Sequence, residues 1–310
     1  MSITESPAPM SDGVLLMDKP AGVTSHDVVS RVRRLFGTRQ VGHTGTLDPM
    51  ATGVLILLLG RAAKASEYVS HDEKSYEAIL RLGLRTDTED STGIILSTAS
   101  NVPTMRDLEN VLRHFQGNIQ QVPPMYSALK VNGRKLCDIA RAGGTIERHP
   151  RHVIIRSLTA EPSRLPSDFR LCVTCSGGTY IRTLCADIGD ELGCGGVMAS
   201  LRRTCASGYP ISDCCTLSEL ESMAAEERQA CLYPVETLFS DLSVLQLSAF
   251  HTRLCRNGCE LYLARLGLHD ARQSGERVRL YDNNGKFFAL GEIMDYPDGA
   301  AVKMIKLFVL

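Results

Sequence analysis

The longest unbroken apolar run, Val54 to Leu59, constrains the fold more than any other feature of this chain. A helix needs about 20 apolar residues to cross a bilayer. The run is far shorter, so it is a buried element of a folded core. Directly before it stands Gly42-His-Thr-Gly-Thr-Leu-Asp-Pro-Met-Ala-Thr-Gly53, a stretch rich in Gly and Thr that reads as a loop. A polar loop anchored to a buried element is a place where a scaffold can present a reactive side chain.

Composition agrees with a folded soluble protein. Hydrophobic residues make up 44% of the 310 and charged residues 22%. Aromatics are 5% and Trp is absent, so the core must rest on Leu, Ile, Val, Ala and Met. The length fits one large domain with an appendage, or two ordinary domains. Met1 to Ser11 lacks the basic start and apolar stretch of a secretory signal and reads as a disordered tail. The expected location is the cytoplasm, with no membrane association.

Eleven cysteines, scattered and odd in number, are expected to be reduced and mostly buried. Cys172 and Cys175 form a C-x-x-C pair, but in an apparent strand that odd spacing sends the thiols to opposite faces. His251, Cys255 and Cys259 lie at helical spacing. No second ligand pair follows and Gly258 weakens the helix, so no metal is expected.

Net charge is −1, yet the charge is unevenly spread. Arg31 to Lys64 holds six bases against Asp48 alone, and Ala128 to Arg156 holds seven against Asp138 and Glu147. Asp213 to Asp241 carries seven acids and one base. Local basic faces can bind phosphates.

Periodicity supplies the elements. Val14 to Met17 is a strand. Thr24 or Ser25 can cap a helix with the face Val28, Val29, Val32, Leu35 and Phe36, stopped by Gly37. Arg61 to Val69 reads as helical. Lys74 to Gly83 alternates as a strand, with Tyr76, Ala78, Leu80 and Leu82 on one face. An acidic loop, Thr86 to Gly93, precedes a helix over Thr104 to Phe115. Val122 to Arg151, with Pro123-Pro124 and the hairpin signal Asn132-Gly133, reads as a basic mobile insertion. Two strands, His152 to Thr159 and Asp168 to Ser176, lead through Gly177-Gly178 to a helix with the face Ile181, Leu184, Cys185, Ile188 and Leu192. Leu217 to Gln229 reads as one acidic helix. Three strands near Arg277, Lys286 and Ala301 form a small β-rich C-terminal module. The fold class is α+β: a mixed, mostly antiparallel sheet flanked by helices, an inserted thumb-like element, and a β appendage. The expected divisions are a tail over 1–12, a catalytic domain over 13–240 with the insertion at 122–151, and a module over 241–310.

Three segments concentrate polar residues where a sheet ends in a loop. In the first, Asp48 precedes Pro49, which restricts it to extended backbone and fixes the direction of the carboxylate. A capping or turn Asp is the commoner fate of such an Asp-Pro. The second is Lys74-Ser-Tyr76. The third, Ser176-Gly-Gly-Thr-Tyr-Ile-Arg182, puts an Arg at a helix start, where a cation calls for an acidic partner or a phosphate.

Together with Gly13 to Pro20, Leu82-Gly-Leu-Arg-Thr-Asp-Thr-Glu-Asp, Pro124-Met-Tyr-Ser-Ala-Leu-Lys, Gly178-Thr-Tyr-Ile-Arg-Thr-Leu and Leu192-Gly-Cys-Gly, the segment Gly42 to Leu55 resembles the bacterial tRNA pseudouridine-55 synthase (TruB) family. The resemblance runs in collinear order from about Gly13 to about Pro210. It implies the pseudouridine synthase fold, and a PUA-like RNA-binding role for the C-terminal module. It implies an enzyme that isomerises uridine 55 in the T-loop of tRNA by flipping it out. Asp48 would be the essential carboxylate and Arg182 its partner, lowering its pKa by about one to three units. Tyr76 would stack on the target base and Tyr180 would be a second active-site Tyr. His43 would contact the T-loop. Gly45, Arg85, Leu201 and Lys19 would join the substrate-binding set. No metal and no cofactor are implied; the partner is the tRNA T-arm and the protein is expected to be a monomer. Gly177 stands where Lys is common in the family, and Cys137 where an aromatic is common. A non-catalytic RNA-binding protein or tRNA-folding chaperone is the alternative reading, and a synthase acting on another stem-loop RNA is a third.

Overall fold

The computed structural model describes residues 12–69, 73–127, 129–131, 133–268 and 272–309. The tail expected over Met1 to Ser11 lies outside the described residues. Asp12 does not belong to it: its carboxylate accepts from the backbone N–H of Arg61 and pairs with that residue's guanidinium.

Strand β1 (Gly13–Lys19) lies antiparallel to β3 (Thr52–Leu59), in register from Gly13 opposite Leu59 to Lys19 opposite Gly53. The apolar run is therefore a central strand, buried on both faces, as its lack of alternation demands. Between them, α1 (Ser25–Leu35) buries Val28, Val29 and Val32, and β2 (Val41–His43) pairs with β3. Thr24 caps α1 in a reciprocal box with Asp27. The segment Gly60–Glu67 after β3 is helical, as expected over Arg61 to Val69, and takes the 3-10 form.

Strand β4 (Lys74–Leu82) alternates as expected. A hairpin of β5 (Leu84–Thr86) and β6 (Ile95–Thr98) brackets the acidic loop, and α2 (Met105–Leu112) starts at a Thr104–Asp107 capping box. After β7 (Gly117–Gln121) comes the insertion, which holds the pair β8 (Lys130–Val131) and β9 (Arg134–Lys135) and the short helix α3 (Leu136–Arg141). Then follow β10 (Arg151–Pro162), β11 (Asp168–Cys175), α4 (Ile181–Glu191), β12 (Gly196–Ala206), β13 (Tyr209–Pro210) and β14 (Cys215–Thr216). The sheet runs β14-β1-β3-β12-β4-β11-β10-β7 and is antiparallel except at β1/β14 and β3/β12.

The acidic segment expected as one helix is two, α5 (Leu217–Ser222) and α6 (Ala225–Ala230). In a single helix Glu227 would stand mid-helix, with no free backbone N–H three residues ahead of it to accept from. The break instead puts Glu219 and Glu227 each in a first turn, where they accept from the N–H of Thr216 and of Ala224.

The C-terminal module comprises β15 (Ser243–Gln246), α7 (Ala249–Arg256), β16 (Leu261–Tyr262), β17 (Arg277–Tyr281), β18 (Phe287–Tyr296) and β19 (Gly299–Leu307), in the order β15-β17-β18-β19-β16. Its own core includes Leu245, Val278, Leu280, Phe288 and Val302. A second cluster welds it to the large sheet: Val14, Val54 and Ile56 pack with Phe239, Phe287 and Phe308. Arg277 lies over the Tyr68 ring, 5.2 Å from its centroid, reinforcing the same junction.

Cys175 is buried and Cys172 half-buried, on opposite faces of β11. Helix α7 ends at Arg256, so Cys259 lies past it and is exposed. Among the described residues no helix is long and apolar enough to cross a membrane.

Candidate active site

A cleft of about 340 Å³ opens where β4, β12 and the start of α4 meet the loop between β2 and β3. Its lining includes Thr44 to Asp48, Lys74, Tyr76, Tyr126, Ser127, Gly178 to Arg182, Leu201 and Arg203.

The loop has little regular structure, and side chains from other elements hold it. Ser25, at the start of α1, is buried; its hydroxyl accepts from the N–H of Leu47 at 2.9 Å and donates to the carbonyl of Leu47 at 3.1 Å. The N–H of Ala51 donates to the carbonyl of Asp48 at 3.0 Å, so Asp48-Pro49 does form a turn, one that aims its carboxylate into the cleft.

There Asp48 meets Arg182. The guanidinium contacts both carboxylate oxygens, Nε to Oδ2 at 2.9 Å and Nη2 to Oδ1 at 3.3 Å. Arg182 is 5% exposed, and its remaining donors reach the carbonyls of Thr88 at 3.2 Å and Tyr126 at 2.8 Å. A second carboxylate, Asp90, lies 3.8 Å from Nη1. The cation at the helix start therefore sits between two acids and two carbonyls, which offset its conflict with the helix dipole. The net effect on Asp48 is opposite to expectation. Enclosure in the cleft pushes its pKa above the ordinary carboxylate value; Arg182 opposes this without overcoming it, and Asp90 adds to the rise.

Tyr76 is buried on β4, directly opposite Arg203 on β12, and burial pushes its phenol pKa up. Tyr180 precedes α4. Gln121 latches its backbone from both sides, the side-chain oxygen accepting from the Tyr180 N–H at 2.8 Å and the side-chain NH₂ donating to its carbonyl at 3.0 Å. Leu201 and Gly45 also line the cleft. His43, on β2 just outside the lining, accepts at Nδ1 from the N–H of Gly45; burial, with the nearby Arg203, holds its pKa below the ordinary value.

Two further expected binding residues also lie outside the lining. Lys19 is fully buried, and its Nζ donates to the carbonyls of Pro20, Val23 and Pro49 at 2.9, 2.6 and 3.2 Å. It fixes the backbone beside Asp48 and has no surface left for a substrate. Arg85 pairs with Asp190 and packs over Gly195, away from the cleft lining. Conversely, Ser127 and Leu129 line the cleft from the insertion, and Arg203 from β12, and none of the three was singled out from the sequence. The one available signal for Arg203 was an Arg doublet, Arg202-Arg203, inside an otherwise apolar stretch.

Comparison with known proteins follows the same outline. The profile described as TruB family pseudouridylate synthase (N terminal domain) matches residues 33–181, and that described as tRNA pseudouridylate synthase B C-terminal domain matches residues 182–240. A protein named tRNA pseudouridine synthase B from Burkholderia mallei (strain NCTC 10247) is 43% identical over 279 residues, covering 90% of this chain and 92% of its own. One of the same name from Stutzerimonas stutzeri (strain A1501) is 43% identical over 288 residues, covering 91% and 92%. Among solved structures, a chain from the crystal structure of a Cbf5-Nop10-Gar1 complex superposes with a TM-score of 0.73 at 25% identity, over 96% of this chain and 85% of its own. A chain from the archaeal box H/ACA sRNP Nop10-Cbf5 complex shares the fold, with a TM-score of 0.71 at 24% identity over 97% and 87%.

Proposed function

This chain belongs to the TruB family of pseudouridylate synthases, and from that premise we propose that Asp48 is the carboxylate through which it isomerises uridine 55 in the T-loop of tRNA. The protein is an enzyme, a tRNA pseudouridine synthase. The isomerisation breaks the N1–C1′ bond of the target uridine and forms a C5–C1′ bond on the same ribose. One proton leaves C5 and one joins N1, so the balance needs no redox partner and no cofactor.

The observation that carries this reading is the two-point pair between Asp48 and Arg182 in a cleft walled by Tyr76 and Tyr180. Asp48 is the sole carboxylate among the described lining residues. One carboxylate suffices where a glycosidase uses two, because the leaving base is retained and reattached. Drawing the uridine out of a folded loop costs a few kcal/mol. Stacking on an aromatic wall, worth roughly 1–3 kcal/mol per base, offsets that cost. The insertion over 122–151 supplies Tyr126, Ser127 and Leu129 to the same cleft, which suits an element that closes over bound RNA. The C-terminal module is assigned to RNA binding, the T-arm to the partner, the monomer to the working state and the cytoplasm to the location.

The test is Asp48→Asn, with unmodified tRNA and with an isolated T-arm RNA, mapping pseudouridine by position. The expected result is no pseudouridine with tRNA affinity within a few fold of wild type. Formation at the wild-type rate refutes the role.

A further inference from the structure

Arg203 is among the most buried charged residues of the protein, at 3% exposure. Its neighbour Arg202 points the other way and pairs with Asp18 at 2.7 Å. Arg203 instead donates to backbone carbonyls: Nε to Val54 at 2.6 Å and Nη2 to Gly45 at 3.1 Å. Those two carbonyls bracket Asp48. Gly45 precedes it on the outgoing side of the loop, and Val54 follows it where the chain has entered β3. A single planar guanidinium thus closes the neck of the loop that carries the carboxylate.

The backbone is shaped to allow this. Strand β12 runs parallel to the start of β3, with Arg203 opposite Gly53. Gly53 has φ of +105°, and a Cβ there would lie 2.1 Å from the carbonyl oxygen of Arg203. The last glycine of the loop motif is therefore required for β12 to approach closely enough for its Arg to reach back into the neck. On the other side of β12, Arg203 is in register with Tyr76 of β4. The same residue touches the loop, the aromatic wall and the cleft lining.

We propose that Arg203 is a positioning residue for the reaction: its guanidinium staples both ends of the Asp48 loop and so sets where the carboxylate stands relative to Arg182 and Tyr76. The proposal rests on Asp48 being the reacting carboxylate. A displacement of about 1 Å in a reacting group can cost on the order of 100-fold in rate. Loosening this neck is the direct way to produce one. A lysine at 203 does not reproduce the staple, because Nε and Nη2 of the guanidinium reach Val54 and Gly45 from separate positions in one plane, whereas an ammonium offers its donors from a single atom.

The experiment uses full-length Arg203→Lys and Arg203→Met with unmodified tRNA. It measures the single-turnover rate at saturating tRNA, the tRNA Kd, and amide hydrogen exchange across the chain. The expected result is a rate about 10- to 100-fold lower, with Kd within about 3-fold of wild type. Faster exchange should be confined to the amides of Thr44 to Val54, and methylguanidine should restore part of the rate to Arg203→Met. A wild-type rate in Arg203→Met overturns the proposal. So does a rate loss matched by an equal loss of affinity, which would make Arg203 an RNA contact. Should Arg203→Met not fold, Arg203→Lys decides: a wild-type rate with wild-type exchange in the loop overturns the proposal equally. Asp48→Asn run alongside keeps the two readings apart. If that variant is active the reading of Asp48 fails; if it is inactive and Arg203→Lys is fully active, only the staple fails.

Discussion

Replacing Arg182 by Lys keeps the charge and removes the geometry. In the folded site the guanidinium makes four close polar contacts: both oxygens of Asp48, the carbonyl of Thr88 and the carbonyl of Tyr126. A Lys ammonium at the same position can reach one carboxylate oxygen and at most one of the carbonyls. At least two charge-assisted hydrogen bonds are therefore lost, each worth about 1.5–3 kcal/mol. If only the lower sum, about 3 kcal/mol, falls on the transition state, the rate drops by roughly 100-fold, at 1.36 kcal/mol per factor of ten. The loss should lie in the chemical step, because Arg182 is only 5% exposed and the partners its guanidinium reaches are protein groups. Single-turnover pseudouridine formation at saturating tRNA measures it, with Kd determined in parallel. Arg182 also lowers the pKa of Asp48 against the rise caused by enclosure. Weakening the pair lets that pKa climb, so the acid limb of the rate profile should move to higher pH. A rate within ten-fold of wild type, with the acid limb unmoved, would refute the claim that two-point pairing sets the state of Asp48.

Other perturbations have equally definite signs. In wild type, the acid limb of the single-turnover rate should lie above the ordinary carboxylate range, because the carboxylate must be ionised and its pKa is raised; a limb near 4 or below contradicts this. On the alkaline side, burial lowers Lys19 to about 8, so the rate should fall as pH rises through 8 and the ammonium loses a donor to the Asp48 loop; Lys19→Met should lack this limb. The carboxyl of Asp187 is pushed up to about 6, by burial first and then by Glu89 and Asp190. Its raised pKa favours folding below the unfolded value and loses that contribution as pH rises through 6, so Asp187→Asn should gain about 1–2 kcal/mol at pH 8 after discounting for partial exposure. That gain should vanish below about pH 4, and an equal gain at both pH values, read as Tm, would rule out titration as its cause. Phe287→Ala opens the core shared by the sheet and the C-terminal module and should cost about 3–5 kcal/mol in urea unfolding, while turnover at saturating tRNA stays near wild type.

The sequence made some of this legible and hid the rest, for identifiable reasons. Strand β4 was readable because its buried and open positions alternate without interruption. Strand β12, in the middle of the same sheet, was not. Register shifts against β4 between Met198 and Ser200, and again between Arg203 and Cys205, break the two-residue period that marks a strand. Missing β12 meant missing Arg203. In the loop, a motif names residues without saying which way they point. Lys19 and Arg85 stand in motif segments, yet one is spent on three carbonyls and the other on Asp190. The raised pKa of Asp48 is hidden from the sequence for a related reason. The cation beside it can be guessed from sequence, but enclosure by Tyr76, Tyr180 and the insertion depends on segments that only the fold brings together.

The contacts around the loop point to one design principle. Its backbone polar groups are taken up by side chains from separate elements: Gly45 and Val54 by Arg203 of β12, Leu47 by Ser25 of α1, and Pro49 by Lys19 of β1. A segment without helix or ladder hydrogen bonds must satisfy its buried N–H and C=O groups in some way, and here each answer also fixes a position. Two of the three donors are buried cations, a costly choice where neutral donors would satisfy a carbonyl. Their placement has an electrostatic consequence that neutral groups would lack. Lys19 lies close enough to Asp48 to favour its ionised form, and Arg203 helps to hold His43 below its ordinary pKa. In Lys19, charge that favours the reactive carboxylate and a bond that fixes its loop are thus supplied by the same side chain. An environment of that kind is organised before the RNA arrives, so it does not have to be assembled from binding energy during the reaction.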